Sequence, residues 1–222
     1  MNESSLFFID KKRNEYSFDK FPEALYIDTS FWIEVFGGNN SEYSRDCRNF
    51  LQDCLKNKVI LVTSNRVKGE IEINKKRAWI KEVATKYPNL IVKCDEKKIN
   101  LKKTFQNIVS NDELYKEFLS LINADMEVID KMCMMAEYNS DTEFWEYMLN
   151  LKKNTKYIIE DKDAEHLAIA LKYGVNSIAT IDGDYFSTDN LNIFTIPTER
   201  NKNEALGRAN MFNEFNKDLF EK

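Results

Sequence analysis

The sequence predicts an α/β protein built on a mostly parallel sheet, and two features carry that expectation. Short, nearly continuous apolar runs recur at 24–28 (ALYID), 59–63 (VILVT), 90–93 (LIVK), 177–181 (SIATI) and 192–196 (NIFTI). Each is strand-sized, and unbroken hydrophobicity suits strands covered on both faces, the habit of parallel strands joined by helical crossovers. Longer segments with apolar residues three and four apart lie between the runs, so strand and helix alternate.

Taken in order, residues 41–57 place Tyr43, Cys47, Phe50, Leu51, Cys54 and Leu55 on one stripe and predict a helix. Residues 65–87 carry Val67, Ile71, Ala78 and Val83 less regularly, and Pro88 stops that helix before the third run. Residues 162–173 align Ala164, Leu167, Ala168 and Leu171, with Gly174 as the stop. Between the third and fourth runs, residues 97–158 hold no convincing strand and predict a helical insertion of three or four helices. Met132, Met134 and Met135 in it, with Phe144, Trp145 and Tyr147, read as core or subunit interface. Residues 203–220 predict a closing amphipathic helix. A chain of 222 residues can bury one sizeable core, and a single domain spanning 1–222 with that insertion is expected.

Composition narrows the function classes. Asp and Glu outnumber Lys and Arg by 37 to 32, which counts against non-specific coating of a polyanion. Local clusters at Lys75, Lys76 and Arg77, and at Lys97, Lys98, Lys102 and Lys103, are either phosphate-facing surfaces or solvated helix faces. Cys47, Cys54, Cys94 and Cys133 form no C-x-x-C pair and the chain has one histidine, which excludes an ordinary structural zinc site. No apolar run approaches the ~18 residues of a membrane span, and a reducing cytoplasm with free thiols is expected.

The chemistry points to acids. In an open parallel sheet, ligands bind beyond the carboxyl ends of the strands, where the strand order reverses. Asp28 ends the first run and Asp182 the fourth, so both meet in one crevice if those strands are neighbours. Glu70, in the first turns of the helix after the second run, and Asp163, at the start of the helix before the fourth, have access to the same edge; Asp184 is a further ligand. Grouped carboxylates raise one another's pKa unless a cation compensates. A hard divalent ion such as Mg²⁺ or Mn²⁺, which prefers oxygen ligands, is the natural one. Each acid also has a bland reading: Asp28 with Thr29 and Ser30 as a helix cap, Asp163 as a helix-start acid, Asp182–Gly183 as turn chemistry, Glu70 as surface. His166, beside an apolar stripe, reads as a packed residue outside the site.

The segments YIDTSFWIE (26–34), LVTSNRVKGEIE (61–72), DAEHLAIALKYG (163–174) and SIATIDGDYF (177–186) resemble, in order, those of the PIN-domain nucleases, including the VapC-type toxins. The most specific pieces are the Asp that opens D-A-x-H-L-A and the strand ending T-x-D-x-D-[YF]. The resemblance implies a three-layer fold with a sheet of order 3-2-1-4-5 flanked by helices, in which the first and fourth runs are neighbours. It also implies Asp28, Glu70, Asp163 and Asp182 as the metal-binding acids, Asp184 as auxiliary, and Thr29 or Ser30 supporting Asp28. The implied chemistry is Mg²⁺- or Mn²⁺-dependent hydrolysis of RNA phosphodiesters, in a toxin or defence effector. Glu70 fits better than Glu72 because Val67 to Ile71 reads V-x-x-E-I. The insertion lies outside the resemblance and could shape RNA access, form a dimer, or bind an inhibitor; an antitoxin would be a separate chain. The alternative is a non-catalytic PIN-like scaffold working through that insertion. A haloacid-dehalogenase phosphatase would need Asp where Ser30 stands, and an integrin-like D-x-S-x-S site is broken by Trp32.

Overall fold

In this computed structural model, residues 4–9, 16, 18–37, 43–94, 98–154, 159–208 and 212–215 are described. Among them the strands are β1 (Ser4–Phe8), β2 (Ala24–Ile27), β3 (Ile60–Ser64), β4 (Met134–Ala136), β5 (Ser177–Ala179), β6 (Asn192–Thr195) and β7 (Phe212–Phe215). The α-helices are α1 (Thr29–Phe36), α2 (Ser44–Lys56), α3 (Asn65–Lys86), α4 (Leu101–Val109), α5 (Asp112–Met132), α6 (Thr142–Asn154), α7 (Asp161–Lys172) and α8 (Glu199–Gly207). The strands form one sheet in the order β4-β3-β2-β5-β6-β1-β7, and every neighbouring pair is parallel. The α/β class and the parallel sheet are therefore as expected, and β2 and β5, the first and fourth runs, are neighbours with Ile27 opposite Ala179.

The strand order departs from 3-2-1-4-5 at both edges. Residues 90–93 do not form the third strand: Pro88, which has no N–H, opens a 3₁₀ turn over Pro88–Leu90. The Val92 N–H then donates to the Thr104 hydroxyl at 2.9 Å, and its C=O accepts from the Asn100 N–H at 2.7 Å beside an isolated antiparallel bridge of Lys93 with Ile99, so the run does not join the sheet. The place beside β3 is taken by β4, from inside the block expected to be helical throughout, with Val62 opposite Met134. Met134 is 49% exposed at that edge, so of the two readings, core or subunit interface, it is not core. At the other edge, β1 and β7 extend the sheet beyond β6. The closing helix also differs: α8 starts at the Thr198 cap, ends at Gly207 and is followed by β7. Residues 41–42, 97, 155–158, 209–211 and 216–220 of the sequence expectations lie outside the described residues.

The chain divides into two compact units, Met1–Val67 with Met132–Lys222, and Lys68–Lys131. In the sheet unit, β2, β3, β5 and β6 each bury at least three consecutive residues, which requires cover on both faces. Phe31 and Trp32 of α1 are fully buried, as are Cys47, Phe50 and Cys54 of α2. Gly174 ends α7 at φ +71°, a backbone that favours glycine. Arg66, at the start of α3, faces Glu165 of α7 at 3.4 Å. Tyr138 donates to the other oxygen of Glu165 at 2.6 Å. In the helical unit, Trp79, Ile80 and Val83 of α3 pack with Ile108 of α4 and Leu114, Phe118 and Ile122 of α5. Among the described residues no helix is long and apolar enough to cross a membrane.

Candidate metal centre

Asp28 stands where β2 leaves the sheet, and its backbone N–H donates to the Ala179 carbonyl at 3.0 Å, tying the ends of β2 and β5. Its side chain caps α1: Oδ2 accepts from the Ser30 N–H at 3.2 Å and the Ser30 hydroxyl at 2.6 Å. The helix therefore begins at Thr29, capped by Asp28 itself, two residues earlier than a Thr29–Ser30 cap would give. Thr180 adds a third donor to the same oxygen at 3.0 Å, and the Tyr185 hydroxyl lies 3.4 Å from Oδ1. Asp28 is only 4% exposed, and the charge-assisted bonds offset its desolvation.

Asp182 follows β5 and caps the 3₁₀ turn Gly183–Ser187, accepting the Asp184 N–H at 3.2 Å. Thr180 links the two caps, because its hydroxyl oxygen accepts the Asp182 N–H at 3.0 Å while donating to Asp28. Ser30 closes the link from the other side by accepting the Ile181 N–H at 2.9 Å. Thr180 is fully buried, so Thr180→Val is expected to destabilise the protein by about 1–3 kcal/mol. A lowered urea midpoint at unchanged slope would show it.

Asp163, in the first turn of α7, is 5% exposed, and its Oδ2 has no hydrogen-bond partner among the described residues. Carboxylate oxygens of Asp163, Asp182 and Asp184 lie within 4.8 Å of one another. Burial is the main reason the Asp163 carboxyl is pushed up to about 7; Lys162 opposes the shift, while Asp182, Asp28 and Asp184 add to it. Asp184 is also raised, first by burial, then by Asp182, Glu160 and Glu204. Asp28 thus stands beside the trio, with Oδ2 taken up by donors and its charge felt at Asp163.

These residues fit a hard divalent ion. Their donors are all oxygen, like charges crowd one spot, and a buried side chain offers an oxygen with no protein partner. A cation at this position would take over the compensating role that a proton on Asp163 fills near neutral pH.

Of the residues singled out in the sequence, Asp28, Ser30, Asp163, Asp182 and Asp184 come together in the sheet unit, with Thr29 buried next to Asp28. Glu70, Glu72, Lys75, Lys76 and Arg77 lie on the part of α3 that belongs to the helical unit. There Lys75 pairs with Asp125 at 2.7 Å, and Lys76 sits 3.4 Å above the Phe105 ring. Lys76, Arg77, Lys102 and Phe105 line a cleft of about 460 Å³. Thr180 and Tyr185 were assigned no role from the sequence, although both fall inside the T-x-D-x-D-[YF] stretch, which was the available signal.

No protein-family model matches the chain, and no curated protein matches it. It is similar to a chain of VapBC2 from Rickettsia felis, a complex solved with a DNA fragment from its promoter. That likeness has 12% identity and a TM-score of 0.45, covering 77% of this chain and 96% of the other. Similarity to Mycobacterium tuberculosis VapC20, described as a sarcin-ricin loop cleaving toxin, has 16% identity and a TM-score of 0.41 over 72% of this chain and 92% of the other. Similarity to FitAcB from Neisseria gonorrhoeae has 14% identity and a TM-score of 0.40 over 77% and 96%. At these values the likeness assigns no role to any residue. The parallel α/β topology stands on the strand pairing described above, and the motifs of the chain resemble those of the VapC-type group.

Proposed function

We propose that this protein is a metal-dependent endoribonuclease that hydrolyses RNA phosphodiester bonds, acting as a toxin or defence effector in the cytoplasm. The observation that carries the reading is the buried, unpartnered Oδ2 of Asp163, held against Asp182 and Asp184. A structural acid in that position would cost stability with nothing in return. Asp28, Asp163 and Asp182, with Asp184, would hold Mg²⁺ or Mn²⁺, and Glu70 would complete the catalytic acids. Such an ion lowers the pKa of a water and polarises a phosphate, so the site needs neither histidine nor cysteine as a nucleophile or base. Thr29 and Ser30 support Asp28, Ser30 by direct hydrogen bonds. Lys75, Lys76 and Arg77 are proposed to contact the RNA backbone, and the chain is read as one PIN-like domain carrying a helical insertion. A protein antitoxin on a separate chain is the proposed partner, in keeping with the VapC-type motifs, and a second copy of the chain is another.

The test is digestion of total RNA by the wild type and Asp28→Asn with Mg²⁺ or Mn²⁺, followed by mapping of the new ends. Metal-dependent cuts are expected from the wild type, and a loss of about a thousandfold or more from the variant at unchanged circular dichroism. Equal cleavage by both would refute the reading. A wild type that binds no divalent ion in calorimetry would favour a non-catalytic scaffold.

A further inference from the structure

His166, the sole histidine of the sequence, is buried on α7 and points two ways. Its Nε2 lies 3.9 Å from Asp28 Oδ1, and its Nδ1 lies 3.0 Å from the Tyr26 hydroxyl. The Tyr26 hydroxyl is in turn 2.9 Å from Ser64 Oγ, and Ser64 Oγ accepts the Val67 N–H at 3.3 Å. Tyr26, Ser64 and Val67 are fully buried and His166 is 1% exposed, so water does not compete for these groups.

The polarity of this chain follows from the end that faces Asp28. The Val67 amide, one of the first-turn donors of α3, can only donate. Ser64 Oγ accepts that bond and can meet the Tyr26 hydroxyl in either sense; when Ser64 donates, the Tyr26 O–H donates to Nδ1. A neutral imidazole that accepts at Nδ1 carries its hydrogen on Nε2. The opposite polarity would set the Nε2 lone pair against the carboxylate of Asp28, negative facing negative in a dry environment.

We propose that His166 is a positioning residue for Asp28: the Val67–Ser64–Tyr26 chain fixes the imidazole with Nε2–H toward Oδ1 and so holds the carboxylate plane. At 3.9 Å the contact is a dipole facing a charge, weaker than the three bonds on Oδ2 but aimed at the other oxygen. This role rests on the reading of Asp28 as part of a divalent-ion site. Partners of this kind, which orient a ligand without touching the ion, are typically worth ten- to a hundredfold in metal affinity.

Because the chain has a single histidine, protein carrying nitrogen-15-labelled histidine gives one imidazole spectrum that needs no assignment. In metal-free wild type we expect the proton on Nε2 and a hydrogen-bonded acceptor at Nδ1. In Tyr26→Phe the Nδ1 signal should shift, because the hydrogen bond from Tyr26 is gone. A ring protonated on Nδ1 overturns the proposal. Mn²⁺ titration followed by electron paramagnetic resonance provides the second readout. His166→Leu is expected to bind about tenfold more weakly, and His166→Gln, whose amide can present N–H near the place of Nε2, to recover most of the loss. Wild-type affinity in the Leu variant overturns the proposal, as does a Gln variant no better than Leu. A role in packing alone would lower the melting temperature and leave both readouts unchanged. If the wild type takes up no Mn²⁺, the metal-site reading fails separately, and the ring spectrum still decides how His166 is oriented.

Discussion

Asp163→Asn is expected to melt higher than the wild type in the absence of metal above pH 7, to take up no Mn²⁺ and to leave RNA uncut. The side chain titrates near 3.8 when free and near 7 in the folded protein. Below pH about 4 both states carry the proton and the group has no effect on stability. As the pH rises to about 7, the unfolded chain gives up a proton that the folded chain keeps, so the folded state loses stability across that window. Above it the loss is complete. At about 1.4 kcal/mol per pKa unit, the full penalty is on the order of a few kcal/mol. Asparagine carries no charge, so the gap between variant and wild type should open from nothing near pH 4 to its widest above pH 7. Thermal melts in chelator across this range measure it, and parallel curves would refute the expected linkage. Mn²⁺ acts in the opposite sense: at a hundredfold excess over Kd it should stabilise the wild type by about 2.7 kcal/mol and the variant not at all. Cleavage by the variant should fall by about a thousandfold or more.

Phe50→Ala is expected to cost about 3–5 kcal/mol, the largest stability loss from a single substitution away from the acids. Phe50 is fully buried on α2 and meets Tyr16, Phe18, Phe21, Phe31 and Phe194 with ring centroids 5.7–6.3 Å apart. Phe194 belongs to β6 and Phe31 to α1, so one ring joins a helix to the sheet and to the chain segment that precedes β2. Rings cannot close a gap by small rotations as a methionine could, which places the expected cost high in the range. A drop in the urea midpoint, with wild-type cleavage under native conditions, would show that the loss is one of packing. A change below about 1 kcal/mol would mean that the cluster collapses around the hole.

The sequence made Asp28, Asp163, Asp182 and Asp184 legible because an acid after a continuous apolar run, or at the head of an apolar stripe, has few reasons to be there. What it concealed has physical causes. β4 is three residues, MMA, between two helices, too short to show a period. The run LIVK looks more like a strand, but the preceding proline turns the chain, and Val92 and Lys93 pair with Thr104 and the 99–100 backbone instead of with β3. Thr180 and His166 gain their roles from partners 152 and 140 residues away, and no local pattern encodes such pairs. The sequence offers Asp28 either as a cap or as part of an acid group, and the geometry shows one carboxylate making the cap bonds while its charge acts on Asp163.

The position of β1 between β6 and β7 has a consequence for synthesis on the ribosome. Ser4 bonds Thr188, 184 residues further along, so β1 waits for its neighbours until the residues between them have been made. At ~5–20 residues per second that wait is roughly 10–40 s. Asp28 emerges in the same early portion, whereas Asp163, Asp182 and Asp184 come late. A nascent chain therefore cannot assemble the acidic site before Asp184 has left the ribosome, and any activity the site supports is withheld until then.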